Sequence, residues 1–152
     1  MIASGVFLFI YFRNPRLEFK DLSLEFPKGF EPKLVSVADD EKSAYFYEPN
    51  TDTNITVTIE ETRYSIENIA EEVFDKMTEK KEGAYWLPIS VTTTYDGNCI
   101  YGRKVKKPDE YYEIIALYRM NRYDLYTVTF ISPPDTDDIL LGKIISKLMK
   151  QY

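Results

Sequence analysis

The sequence contains no histidine. That absence removes His-based catalytic triads, imidazole proton shuttles and His-ligated metals together. A single cysteine, Cys99, leaves no partner for an internal disulfide and no cluster for zinc. With no imidazole to act as its base, Cys99 reads as a buried structural thiol rather than a nucleophile. Six glycines are little material for a phosphate-cradling loop, and none is found. Neither a G-x-S-x-G elbow nor an S-x-x-K motif occurs. Positive charge is also short: 19 Lys and Arg stand against 25 Asp and Glu, for a net charge of −6. Bulk electrostatics therefore disfavour a nucleic-acid partner.

What is there is one domain's worth of chain. It has 152 residues, 44% of them hydrophobic, with 13 Tyr and 9 Phe to build a dense core. Residues 1–12, MIASGVFLFIYF, form an uncharged apolar run, and Arg13-Asn14-Pro15-Arg16 follows at once. A twelve-residue helix spans roughly 18 Å against a bilayer core of about 30 Å, so the run does not cross as it stands. It lacks the basic start and small-x-small end of a signal peptide. Ile2-Ala3-Ser4-Gly5-Val6 outlines a lipoprotein box, but valine stands where the lipid-bearing cysteine would be. Three readings remain: the C-terminal half of a membrane anchor whose start is missing, an apolar segment packed on the domain, or a short interfacial anchor. We favour the first, which divides the chain into 1–16 and a single domain over 17–152. It gives a membrane-anchored domain outside the cytoplasm. The alternative is a cytoplasmic domain, favoured by Arg13, Arg16 and Lys20 under the positive-inside rule.

Within the domain, period-2 alternation marks the strands. Leu22, Leu24 and Phe26 alternate with polar residues, and Pro27-Lys28-Gly29 makes a turn. Residues 33–37 and 43–48 read as strands joined by the polar hairpin Asp39-Asp40-Glu41-Lys42. Residues 53–60 place Ile55, Val57 and Ile59 on one face and polar residues on the other. The spacing of Ile66, Ile69, Ala70, Val73, Phe74 and Met77 predicts a helix over 65–81, with Ser65 as N-cap and Gly83 after its end. A four-strand meander follows. Strands at 87–95 and 98–106 flank Asp96-Gly97, and strands at 110–120 and 123–132 flank Asn121-Arg122. The strand at 111–120 is apolar on both faces, which predicts cover on both sides of the sheet. A last helix over 136–150 buries Leu140, Leu141, Ile144, Ile145, Leu148 and Met149 and places lysines towards its C-terminal end.

This order of strands, helix, four-strand meander and C-terminal helix resembles the PsbP/Mog-like superfamily, which includes bacterial DcrB-type envelope proteins. Leu22 to Phe30 is similar to that family's strand followed by Pro-x-Gly-aromatic. Asp96-Gly97 with Tyr101-Gly102 resembles its central hairpin. The Tyr/Phe-rich strand, Pro/Asp loop and short amphipathic helix resemble its ending. Phe30 departs from the tryptophan frequent there. The resemblance implies an α+β fold, an α/β/α sandwich around a mainly antiparallel sheet. It implies binding rather than catalysis and carries no catalytic residues.

Among polar groups, Asp39-Asp40-Glu41 and Asp135, Asp137, Asp138 are the densest carboxylate clusters. Neither has the D-x-D-x-D-G spacing of a calcium loop. They read as a solvated hairpin tip and as helix N-cap chemistry. No cofactor or metal is expected. Tyr85 and Trp86, before Leu87-Pro88, read either as an exposed aromatic loop or as core. Arg103, Lys104, Lys106 and Lys107 concentrate positive charge and are the candidate docking residues, for an acidic partner or anionic headgroups. Strand alternation sends Arg103 and Lys104 to opposite faces, so a solubilising rim is the plainer reading. The expected function is a non-catalytic, envelope-associated binding or accessory domain engaging a protein partner. A small-ligand or ion-binding domain is the alternative, and a carboxylate-based enzyme the remote one. The sequence leaves the oligomeric state open.

Overall fold

The computed structural model describes residues 14–62 and 110–150, and the backbone of strands at 84–86, 92–93 and 99–105. The apolar segment 1–12 and the helix expected over 65–81 lie outside the described residues. So does Asp96-Gly97, although the antiparallel pairs Thr92 with Ile100 and Thr93 with Cys99 bracket it.

The described residues form two sheets. The small one pairs β1 (Arg16–Phe19) with β2 (Leu22–Glu25). The large one contains β3 (Lys33–Val37), β4 (Ser43–Glu48), β5 (Thr53–Glu61), β6 (Ala84–Trp86), β7 (Thr92–Thr93), β8 (Cys99–Val105), β9 (Tyr111–Arg119) and β10 (Asp124–Ser132). Its order is β3-β4-β5-β10-β9-β8-β6, with β7 also paired to β8 and every pairing antiparallel. A helix, α1 (Asp138–Met149), follows β10.

One face of the large sheet carries the core. Register aligns Ile55 with Phe130 and Val57 with Val128, then Phe130 with Ile114 and Val128 with Ala116. Leu17, Phe19, Leu22 and Leu24 of the small sheet join this layer, as do Leu141, Ile144, Ile145 and Leu148 of α1. The turn after β2 is set by Gly29, whose φ of 93° lies in the region L-residues avoid. Phe30 N–H bonds Pro27 C=O at 3.2 Å across it. The turn folds Phe26 back on Phe30 with ring centroids 5.0 Å apart, and both rings meet Phe130, at 5.9 and 6.3 Å.

The α/β/α sandwich is thus corrected. The described residues are mostly antiparallel strand, in two sheets, with α1 as the one helix among them. The helical layers are what the family resemblance implies; the strand at 111–120 by itself asks only for cover on both faces of the sheet. β9 is indeed buried on both faces, at Ile114, Ala116 and Tyr118 on one and Leu117 on the other. A covered face does not require helices, however. On the core side the β1–β2 ribbon supplies much of the cover. Leu17 and Phe19 face inward from a strand that the alternation after Leu22 did not include.

Candidate functional site

Two neighbouring features at one end of the large sheet offer surface for recognition. The first is a cleft of about 480 Å³ between the β4–β5 turn and the β10–α1 loop. Asn50, Thr51, Asp52, Asp135, Thr136 and Asp137 supply its polar lining. Behind it lies Glu48, fully buried at the end of β4. Its carboxylate accepts the backbone N–H of Glu31 at 3.0 Å, of Asn50 at 3.1 Å and of Thr51 at 2.7 Å, and the Thr51 hydroxyl as well. Hydroxyl contacts then run from Thr51 to Thr53 and from Thr53 to Ser132, each at 2.7 Å. Asn50 Nδ2 donates to Gly29 C=O at 2.9 Å. One carboxylate so gathers the turn after β2, the turn after β4 and the end of β10.

The cleft's own polar groups are largely committed to structure. Asp52 accepts the Tyr47 hydroxyl at 2.7 Å, which raises the Tyr47 pKa above its ordinary value. Thr136 Oγ1 donates to Pro133 C=O at 2.7 Å. Asp137 caps α1 by accepting Ile139 N–H at 3.1 Å, the role the sequence gave this carboxylate cluster. Asp138 accepts the Tyr112 hydroxyl at 3.1 Å. At the hairpin tip, Asp40 accepts Lys42 N–H at 3.0 Å. Among the described residues no three His, Cys, Asp or Glu side chains are grouped to hold a metal ion. No helix among them is long and apolar enough to cross a membrane.

The second feature is β3, the last strand of the sheet on this side. All five of its residues are exposed. Leu34 is 57% exposed, Val35 66% and Val37 42%, and Tyr45 on the adjacent strand is 45% exposed. A bulge falls between Leu34 and Ser36, where the register against β4 shifts. Leu34 is opposite Phe46 and Val37 opposite Ala44, so both lie on the core-bearing face, beyond the core's edge. The sequence marked 33–37 as a strand but not as the sheet's end, because an edge strand and an inner strand carry the same alternation.

The expected docking residues lie elsewhere. Arg103 is opposite Glu113 on one side and Trp86 on the other, and Lys104 is opposite Tyr112 and Tyr85. Their successive register positions put them on opposite faces of the sheet, far along it from β3. Lys106 and Lys107 lie outside the described residues. Tyr85 and Trp86 belong to strand β6 rather than to a loop. Glu48, the polar centre of this end, gave no sequence signal: a glutamate closing an alternating strand reads as a solvated residue.

No protein-family model matches the chain, and no curated protein is significantly similar to it.

Proposed function

We propose that this chain is a non-catalytic binding or accessory domain that engages a protein partner through the β3 edge. It would be held at the cell envelope by the apolar segment 1–12, with the domain outside the cytoplasm. The observation carrying this reading is the exposure of Leu34, Val35 and Val37 on a strand that no other described strand pairs on its outer side. Apolar side chains beside an open backbone ladder are what an added strand recognises. The carboxylates nearest the cleft, Glu48, Asp52 and Asp137, are by contrast engaged with turn N–H groups, the Tyr47 hydroxyl and the α1 cap. The resemblance to the PsbP/Mog-like superfamily, with its shared binding roles, points the same way.

The test is crosslinking of the chain in its native membrane, followed by purification and mass spectrometry, for wild type and for Leu34→Asp/Val35→Asp. Both positions are exposed, so the variant folds. A partner recovered with wild type and lost with the variant supports the reading. An unchanged set of partners, or none above background with wild type, overturns it.

A further inference from the structure

We propose that the outer side of the layer formed by α1 and the β1–β2 ribbon lies on an anionic phospholipid surface, through Arg16, Lys143, Lys147 and Lys150. The inference rests on the reading of residues 1–12 as a membrane anchor, and it adds which side of the domain the membrane meets.

Asn14 marks where the apolar run joins the domain. Its side-chain amide donates to Glu25, and the next residue, Pro15, accepts Phe26 N–H at 2.8 Å. Only Arg13 separates Asn14 from the end of the run. Two Cα steps span at most about 7.6 Å. That is within the Debye length of about 8 Å at physiological salt. An anchor ending at residue 12 therefore brings this corner of the domain to the headgroups.

The side chains gathered at that corner are basic. Glu25 is their hub: Lys147 reaches it at 3.4 Å and Arg16 at 3.7 Å, beside Asn14. Lys143 and Lys150 stand one helical turn to either side of Lys147, on the same face of α1. Both are exposed, and neither has an ion pair among the described residues. The opposite face of the helix, Leu141, Ile144, Ile145 and Leu148, is committed to the core. The lysine stripe so points away from the sheet, where a flat surface can meet it.

Acidic groups lie at the other end of the ribbon. Lys20, in the β1–β2 turn, reaches Glu41 at 3.4 Å, which sets the Asp39-Asp40-Glu41 tip at the ribbon's closed end. Arg16 and Glu25 are paired at its open end. Four residues of strand, about 13 Å, separate the two. An anionic surface attracts the open end and repels the closed one, so it orients a domain whose net charge is negative. The same orientation turns the acidic tip, into which β3 leads, away from the bilayer and towards a partner. Each basic residue near such a surface adds only about fivefold in residence. The tether makes that enough, because an anchored domain meets the surface at an effective concentration near millimolar.

Lysine footprinting of the full chain in vesicles tests this. The chain is reconstituted into phosphatidylcholine alone and into equal parts phosphatidylcholine and phosphatidylglycerol. It is then acylated with a water-soluble N-hydroxysuccinimide ester and read lysine by lysine by mass spectrometry, while flotation reports the anchor separately. Lys143, Lys147 and Lys150 should react about threefold or more slowly on the anionic vesicles, and Lys33 and Lys42 equally on both. Salt at about 1 M, where the Debye length is about 3 Å, should abolish the difference. Lys143→Glu/Lys150→Glu changes two exposed positions outside the core. It should still float and should leave Lys147 equally reactive on both vesicles. A chain that floats with both vesicles without any difference at these lysines overturns the docking and leaves the anchor standing. So does protection indifferent to salt or to the double substitution. A chain that floats only with anionic vesicles, and loses this as Lys143→Glu/Lys150→Glu, keeps the docking and overturns the anchor. Flotation with neither overturns both.

Discussion

Glu48 carries an unusual share of this fold for one residue. It is fully buried, and its carboxylate is satisfied by backbone N–H groups from two turns rather than by a cation. Removing the acceptor orphans several donors at once, each costing about 1–3 kcal/mol when buried. Glu48→Gln keeps the shape but turns an NH₂ group towards N–H donors. We expect it to lower stability by about 2 kcal/mol and Glu48→Ala by more, read as a fall in the urea midpoint without a change in slope. A loss under about 0.5 kcal/mol would mean that solvent replaces the carboxylate easily. Glu25 is a different case, half-exposed where β1, β2 and α1 meet. The Asn14 side-chain amide, then the charges of Lys147 and Arg16, hold its pKa below the ordinary value of 4.5. A carboxylate with a depressed folded pKa stabilises the fold above the unfolded value, and that gain is lost as pH falls through the folded value. Thermal midpoints should therefore drop more steeply in acid for wild type than for Glu25→Gln. Parallel pH profiles for the two would contradict it.

At the scale of elements, α1 is fixed at both ends by one strand. The Tyr112 hydroxyl reaches Asp138 in its first turn at 3.1 Å, and the Tyr118 hydroxyl reaches Leu148 C=O in its last at 2.9 Å. The second bond is buried. Tyr118→Phe should cost about 1 kcal/mol and Asp137→Ala, which removes the cap, a similar amount. Amide exchange should localise the loss to α1, and a loss spread evenly over the sheet would argue against this clamp. Elements of this kind were legible in the sequence. Residues 43–48 form β4 as the alternation predicts, 53–60 falls short of β5 by one residue, and the amphipathic stripe from Leu140 to Met149 finds α1. Period 2 and period 3.6 are local signals, and local signals locate elements. Which strand ends a sheet is a matter of pairing, so the exposure of Leu34 and Val35 could not be read. Neither could the role of β1 as half of a separate ribbon. The candidate site was illegible for the same reason. Glu48, Ser132 and Gly29 are drawn together by topology, while the charge cluster at Arg103 and Lys104 is split between faces by its own strand.

On the scale of the whole molecule, the large sheet is asymmetric. One end carries β3, short, bulged and apolar. The other carries β6 and β7, which share the outer side of β8. Between them, the middle of the sheet is stitched from distant parts of the chain. β5 pairs with β10 along the register from Asn54–Ile131 to Glu61–Asp124. That seam has a consequence for synthesis. Ribosomes deliver β3, β4 and β5 early, but Ile55 and Val57 have no neighbour on that side until Phe130 and Val128 emerge. Strands β3 to β5 therefore wait with an apolar edge uncovered until β10 has been made, and this part of the sheet closes late.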